Sequence, residues 1–181
     1  WRGNIMSKMN EFLKDCLSLP YKSNSQDNPY HENQVEDLLK KHGLDYIAQP
    51  NGTQASPDFL VRYNGEEYPI ECKSAKGHYP VYNSGLPKKG VIYVFSSKKY
   101  NETTVFRSED VVTDKRRKLF EDELDEIKAV QEKYKSIDDD SGWGLYVRPM
   151  YIQRGGKLYA DYFIHKDREL RESNVINGEY D

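Results

Sequence analysis

Two carboxylates and a lysine stand close together in the first half of the chain. Asp58 opens the apolar run Phe59–Tyr63, and the next apolar run carries Glu71 and Lys73 two residues apart. Because side chains alternate between the faces of a strand, Glu71 and Lys73 are expected on the same face. Partly buried charges are costly unless they are paired or bind a metal. This pattern therefore indicates a chemical site.

The chemistry that suits such a cluster is metal-assisted hydrolysis. An Asn64-Gly65 pair between two apolar runs predicts a hairpin, which would bring Asp58 within reach of Glu71. Two carboxylates suit Mg²⁺, which usually takes one or two of them together with waters and substrate phosphate. Lys73 could orient or help to deprotonate the attacking water. The alternative is structural: Glu71 and Lys73 form an exposed pair, and Asp58 is a turn residue after proline.

The elements that position this cluster follow from hydrophobic periodicity. Helices are predicted at 5–17, at 29–42 with Gly43 as the C-terminal stop, and at 114–136. Strands are predicted at 46–48, 59–63, 67–73 and 91–95, the last without a polar break and therefore fully buried. A second hairpin is predicted from strands at 144–152 and 157–165 around Arg154. Pro69 cannot donate to a sheet ladder, which favours an edge position or a bulge there.

Composition limits the possible classes of protein. The 181 residues suit one domain, 1–181. The mean hydropathy is strongly negative and no long apolar run or signal peptide is visible, so we expect no membrane partner. Two cysteines are too few for a disulfide framework and fit a cytoplasmic location. The four histidines show no metal-ligand spacing.

The distribution of charge is more informative than the net charge of −3, which argues against a uniformly basic nucleic-acid binder. Residues 73–101 contain six lysines and no acidic residue. A solvated lysine-rich loop and a phosphate-facing surface both fit this segment. The candidate DNA contacts within it are Lys76, Asn83, Lys88 and Lys89.

Two arginines are candidates for reading bases. Arg148 and Arg154 belong to the second predicted hairpin, which could enter a DNA groove as a β-ribbon and contact guanine. Arg148 could equally pair with acidic residues of the long predicted helix.

Taken in order, Pro57-Asp58, a hairpin turn, an apolar strand and Glu71-Cys72-Lys73 resemble the signature of the PD-(D/E)XK nucleases, the restriction endonuclease-like superfamily. Members often carry a glutamate on the preceding helix. The run from Glu32 to Gly43 is similar to that helix as found in archaeal junction resolvases, with Glu36 as the second choice for the glutamate. The resemblance covers about 29–95.

The resemblance implies an α/β fold with a mixed central β-sheet flanked by helices, a catalytic core at about 29–97 and an elaboration at about 98–181. It implies Mg²⁺-dependent hydrolysis of DNA, with Mn²⁺ as a substitute. Asp58, Glu71 and the Cys72 carbonyl would hold the metal, Lys73 would serve the attacking water, and Glu32 would tune this metal or a second one.

The size of the chain suits a type II restriction enzyme that cuts double-stranded DNA at a specific sequence as a homodimer. Two other interpretations stay open: a DNA repair or Holliday-junction-resolving nuclease, and a non-catalytic DNA-binding module.

Overall fold

The computed structural model describes residues 6–24, 29–137, 140–153, 161–164 and 167–180. In chain order the elements are α1 (Lys8–Cys16), α2 (Tyr30–Lys41), β1 (Asp45–Ala48), β2 (Phe59–Tyr63), β3 (Glu66–Ala75), β4 (Val81–Tyr82), β5 (Ile92–Ser97), β6 (Glu102–Arg107), α3 (Ser108–Val111), α4 (Asp114–Lys135), β7 (Tyr151–Ile152) and α5 (Arg168–Ile176). Among these helices, none is long and apolar enough to cross a membrane.

A five-stranded mixed sheet organises the chain, in the order β1-β2-β3-β5-β6. Only the β3–β5 pairing is parallel, and its register runs from Ile70↔Ile92 to Ala75↔Ser97. Helices α1, α2 and α5 pack against this sheet. The predicted fold class, a mixed sheet flanked by helices, is therefore confirmed. The sheet also includes β6, which lies beyond the segment predicted to form the core.

The β2–β3 hairpin forms as predicted. Asn64 and Gly65 both have positive φ angles, 50° and 78°, which a tight hairpin turn requires. Pro69 pairs with Leu60 of β2 and lies one residue before the pairing with β5 begins. The proline therefore occupies a stretch of β3 that has a neighbour on one side only, although β3 is the central strand.

The core lies on both faces of the sheet, and β5 contributes to both. All six of its residues are buried: Ile92 to Phe95 as the unbroken apolar run predicted, and Ser96 and Ser97 in addition. Ile92 and Val94 pack into a cluster with α1, α2 and α5, whereas Tyr93 and Phe95 pack into an aromatic cluster on the other face. Burial of each such side chain contributes about 1.5–3 kcal/mol, so β5 anchors the strand beside it, β3.

The two N-terminal helices agree with their predictions. Ser7 caps α1 by accepting a hydrogen bond from the Asn10 N–H, and Met9, Phe12, Leu13 and Cys16 face the core. Ile5, which the sequence placed on the same face, lies outside the described residues. Helix α2 ends before Gly43, whose φ of +62° is strained for other residues.

The second predicted hairpin does not form in the part of it that the structure describes, so this prediction is wrong there. Of the strand predicted at 144–152, only Tyr151 and Ile152 are extended, and they pair with Val81 and Tyr82 of β4. The described segment 142–150 is irregular, because Gly144 and Pro149 interrupt it. Residues 161–164 form a turn, and Arg154 lies outside the described residues.

Candidate active site

The β2–β3 hairpin brings three of the predicted catalytic residues, Asp58, Glu71 and Lys73, to one cavity. Along β3, Ile70 and Cys72 are buried in the core, whereas Glu71 and Lys73 are half-buried on the opposite face. Over that face lies a polar cavity of about 570 Å³. Its lining includes all four side chains that were predicted to be catalytic: Glu32, Asp58, Glu71 and Lys73.

Asp58 is fixed by the backbone of the partner strand. Its Oδ2 accepts a hydrogen bond from the Cys72 N–H at 2.7 Å. Burial, followed by the nearby negative charge of Glu71, raises the pKa of Asp58 to about 7, although the Cys72 N–H and Lys73 oppose this rise. The ionised carboxylate is therefore costly at this position, and a bound cation would stabilise it.

Glu71 and Glu32 approach the cavity from different elements. Glu71 Oε2 accepts a hydrogen bond from Ser56 Oγ at 2.6 Å, which ties β3 to the loop before β2. Glu32 Oε2, on the first turn of α2, is buried and has no hydrogen-bond partner among the described residues. Buried acceptors without a partner are rare and call for an explanation. An oxygen that binds a cation directly or through water provides one.

A cation here would be held mainly by carboxylates. In the described part of the chain, no three His, Cys, Asp or Glu residues are grouped as a ready metal site. Mg²⁺ needs no such group, because it keeps several waters and often takes only one or two carboxylates. The Cys72 thiol is buried in the core, and burial raises its pKa well above the ordinary value. Cys72 could therefore contribute only through its backbone carbonyl.

Lys73 lies against an aromatic wall of the cavity. Its Nζ is 5.8 Å from the centre of the Tyr82 ring, within the range of a cation–π contact. The Tyr82 hydroxyl shares a hydrogen bond of 2.9 Å with the Tyr162 hydroxyl, and Arg171 of α5 donates to the Tyr162 carbonyl at 2.9 Å. Buried contacts therefore connect α5 to the residue that faces Lys73.

Five of the six candidate DNA contacts fall into two groups. Asn83, Lys88 and Arg148 line the cavity, and the Arg148 Nε donates to the Asn83 carbonyl at 2.8 Å. Lys76 is exposed just after β3 and is not part of the cavity lining. Lys89 also lies outside the lining and pairs with Asp114 of α4 at 3.0 Å. Arg154, the sixth, cannot be placed, as noted above.

The sequence did not single out one wall of the cavity, the loop between β1 and β2. Asn51, Thr53, Gln54 and Ser56 all line it, and Asn51 Nδ2 donates to the Ser56 carbonyl at 3.0 Å. Sequence reasoning identified only the Asn51-Gly52 turn. The sequence nevertheless contains a signal for this wall: the polar loop leads directly into Asp58 and must therefore lie close to any site that includes Asp58.

Comparison with known proteins gives little further guidance. No protein-family model matches the chain, and no curated protein matches it significantly. Among solved structures, the bacterial homing endonuclease I-Ssp6803I is similar over 48% of this chain and 68% of its own chain, with 16% sequence identity and a TM-score of 0.36. A likeness of this extent assigns neither a family nor a function.

Proposed function

We propose that this chain is a Mg²⁺-dependent endonuclease that hydrolyses phosphodiester bonds in DNA. The observation that carries the proposal is the convergence of Asp58, Glu71, Glu32 and Lys73 on one polar cavity. The raised pKa of Asp58 and the unpartnered Glu32 oxygen both favour a bound cation. Carboxylates with an adjacent lysine are the groups that metal-assisted phosphoryl hydrolysis uses.

Each residue has a distinct task in this proposal. Asp58 and Glu71 would hold Mg²⁺ or Mn²⁺ together with the Cys72 carbonyl, and Glu32 would tune this cation or a second one. The cation would supply charge stabilisation at the scissile phosphate. Lys73 is a hydrogen-bond donor and cannot be a ligand, so its task is to orient the attacking water and assist its deprotonation.

The dimensions of the cavity suit a stretch of DNA backbone. A volume of about 570 Å³ lies in the usual range for sites that hold a small ligand, far less than a duplex requires. The duplex would therefore lie across the entrance with one phosphodiester inserted. Lys88 and Arg148 are exposed side chains of the cavity lining and can contact neighbouring phosphates.

The finer proposal is a type II restriction enzyme that cuts both strands at a specific sequence as a homodimer. A repair or junction-resolving nuclease and a non-catalytic DNA-binding module are the alternatives. Incubation with plasmid, phage DNA and a four-way junction in Mg²⁺ distinguishes the three. Discrete duplex fragments support the restriction enzyme, and cutting confined to the junction supports a resolvase. A mobility shift without cutting supports a binding module and contradicts the endonuclease.

Lys88→Ala should weaken DNA binding more than Lys89→Ala does. Lys88 lines the cavity, whereas Lys89 lies outside it and already pairs with Asp114. Loss of one phosphate contact should lower the slope of log K against log salt by about 0.9. Fluorescence anisotropy with a labelled duplex between about 50 and 200 mM salt measures this slope. A slope that Lys88→Ala leaves unchanged would place the DNA elsewhere.

A further inference from the structure

Helix α4 is the longest helix that the structure describes, yet much of its apolar surface is exposed. None of its 22 residues, all of which the structure describes, is buried. Contacts near its N-terminal end attach it to the rest of the molecule: Asp114 pairs with Lys89, Arg117 donates to the Pro87 carbonyl, and Phe120 packs on Tyr151. The sequence predicted an amphipathic helix here, and such a helix normally buries its apolar face.

The exposed apolar side chains form one continuous patch. Ile127, Val130 and Tyr134 follow one another along α4 and are 43%, 56% and 64% exposed. Trp143 and Leu145, in the segment after the helix, are 90% and 72% exposed. All five line one groove of about 760 Å³ beside the helix. Contiguous apolar surface of this kind marks an interaction site more often than a free surface.

Charges around the patch are divided along the helix. Five of the six residues at 121–126 are acidic, whereas Lys133 and Lys135 stand in the last turn. At 100° per residue, Glu123, Glu126 and Lys133 all lie within about 60° of Val130 around the helix axis. The apolar strip therefore has an acidic border toward one end, and toward the other it has Lys133 and Lys135 together with Glu132, which also lines the groove.

We propose that a second copy of this chain binds this patch, with the two α4 helices antiparallel about a two-fold axis between Ile127 and Val130. A two-fold contact must be self-complementary, and this face carries both halves of the required charge pattern. The axis brings Lys133 of one copy within one helical turn of Glu123 and Glu126 of the other. A parallel arrangement would instead place the acidic segments against each other.

This interface specifies the surface through which the homodimer of the proposed restriction enzyme would form, and to that extent it rests on the proposed function. Because self-association is measured without DNA, a failure of this interface is distinguishable from a failure of the nuclease activity. Stable interfaces bury about 1,200 Å² or more in total. A helix alone offers a narrow strip, but here Trp143 and Leu145 extend the patch beyond α4. An aromatic residue at the centre of an interface is the kind of anchor that contributes most to binding.

Val130→Glu tests the apolar centre of the interface. Sedimentation velocity and light scattering over a wide concentration range should show a wild-type dimer and, for the variant, a dissociation constant raised by at least about tenfold. Leu170→Glu is the matched control, since Leu170 is an apolar side chain that is 63% exposed on α5. A wild-type monomer throughout, or equal effects of the two substitutions, would overturn the proposal.

Charge reversal tests the antiparallel arrangement itself. Lys133→Glu alone and the double variant Glu123→Lys with Glu126→Lys should each weaken self-association, because each places like charges in contact. A mixture of the two variants should form a heterodimer, since the opposed charges at positions 123, 126 and 133 are then attractive. Failure of the mixture to associate more tightly than either variant alone would overturn the proposed geometry. Unfolding curves of each variant verify that the fold is retained.

Discussion

Replacement of Lys73 by alanine is expected to abolish DNA cleavage and leave cation binding intact, whereas Asp58→Ala should lose both. Asp58 is a carboxylate in the cavity and can ligate Mg²⁺, but Lys73 is a donor and cannot. Loss of a proton-transfer partner should lower the cleavage rate by about a hundredfold or more. Removal of a neighbouring positive charge should also leave the cation bound as tightly as before or more tightly.

Calorimetric titration of Mg²⁺ and Mn²⁺ into both variants, beside a cleavage assay, separates these effects. Lys14→Ala is a matched control, since Lys14 is an exposed lysine of α1 that does not line the cavity. If Lys73→Ala cuts DNA at the wild-type rate, Lys73 has no role in the reaction, and Glu71 and Lys73 are an ordinary pair of charged side chains. Loss of cation binding in Lys73→Ala would assign the lysine a structural role instead.

Asp58→Asn should make the protein more stable at alkaline pH in the absence of metal, although it removes a predicted ligand. The pKa of Asp58 is raised to about 7 in the folded chain, against 3.8 ordinarily. At a pH well below 3.8 the carboxyl is protonated in both states. As the pH rises toward 7 the unfolded chain releases its proton first, so the free energy of unfolding falls, and the loss is complete above about pH 7.

The size of this effect follows from the same pKa. Ionisation of Asp58 costs up to about 4 kcal/mol of stability at about pH 8, at about 1.4 kcal/mol for each pH unit. Asparagine avoids this cost, and its side-chain oxygen can still accept from the Cys72 N–H. The stability advantage of Asp58→Asn should therefore grow by roughly 2–3 kcal/mol between about pH 5 and about pH 8.

Urea unfolding in EDTA measures this advantage, with Asp45→Asn, an exposed carboxylate on β1, as the control. Addition of Mg²⁺ should reduce the difference in the free energy of unfolding between the variant and the wild type, because a ligand that binds only the folded wild type stabilises it. If Asp58→Asn is no more stable than the wild type at about pH 8, the ionised Asp58 carboxylate does not destabilise the fold. The raised pKa of Asp58 would then no longer support a bound cation.

The parts of the fold that sequence predicted well are those that local patterns determine. The Asn64-Gly65 turn fixes the β2–β3 hairpin, because both residues adopt the positive φ angles that the turn needs. The period of two along β3 correctly assigned Cys72 to the core and Glu71 with Lys73 to the other face. Since the hairpin and this alternation together bring Asp58, Glu71 and Lys73 to one cavity, these three side chains could be named from the sequence.

The parts that sequence missed depend on contacts between distant segments. Strand β4 has only two residues, and β7 is the last two residues of a longer predicted strand, so no local periodicity could identify the pairing of the two. The position of Tyr82 against Lys73 follows from that ribbon and from the hydrogen bond to Tyr162. Similarly, the amphipathic pattern of α4 correctly predicted a helix. The pattern alone does not say whether the surface that packs on the apolar face of α4 belongs to the same chain or to another one.

The most direct test is a time course of DNA cleavage by the wild-type protein and by Asp58→Ala, purified in parallel. Supercoiled plasmid and phage DNA are incubated with each protein in Mg²⁺, in Mn²⁺ and in EDTA. We predict cleavage by the wild type in Mg²⁺ and Mn²⁺, none in EDTA, and none by Asp58→Ala under any condition. Equal cleavage by the two proteins, or no cleavage by the wild type with either metal, would contradict a nuclease site built on Asp58.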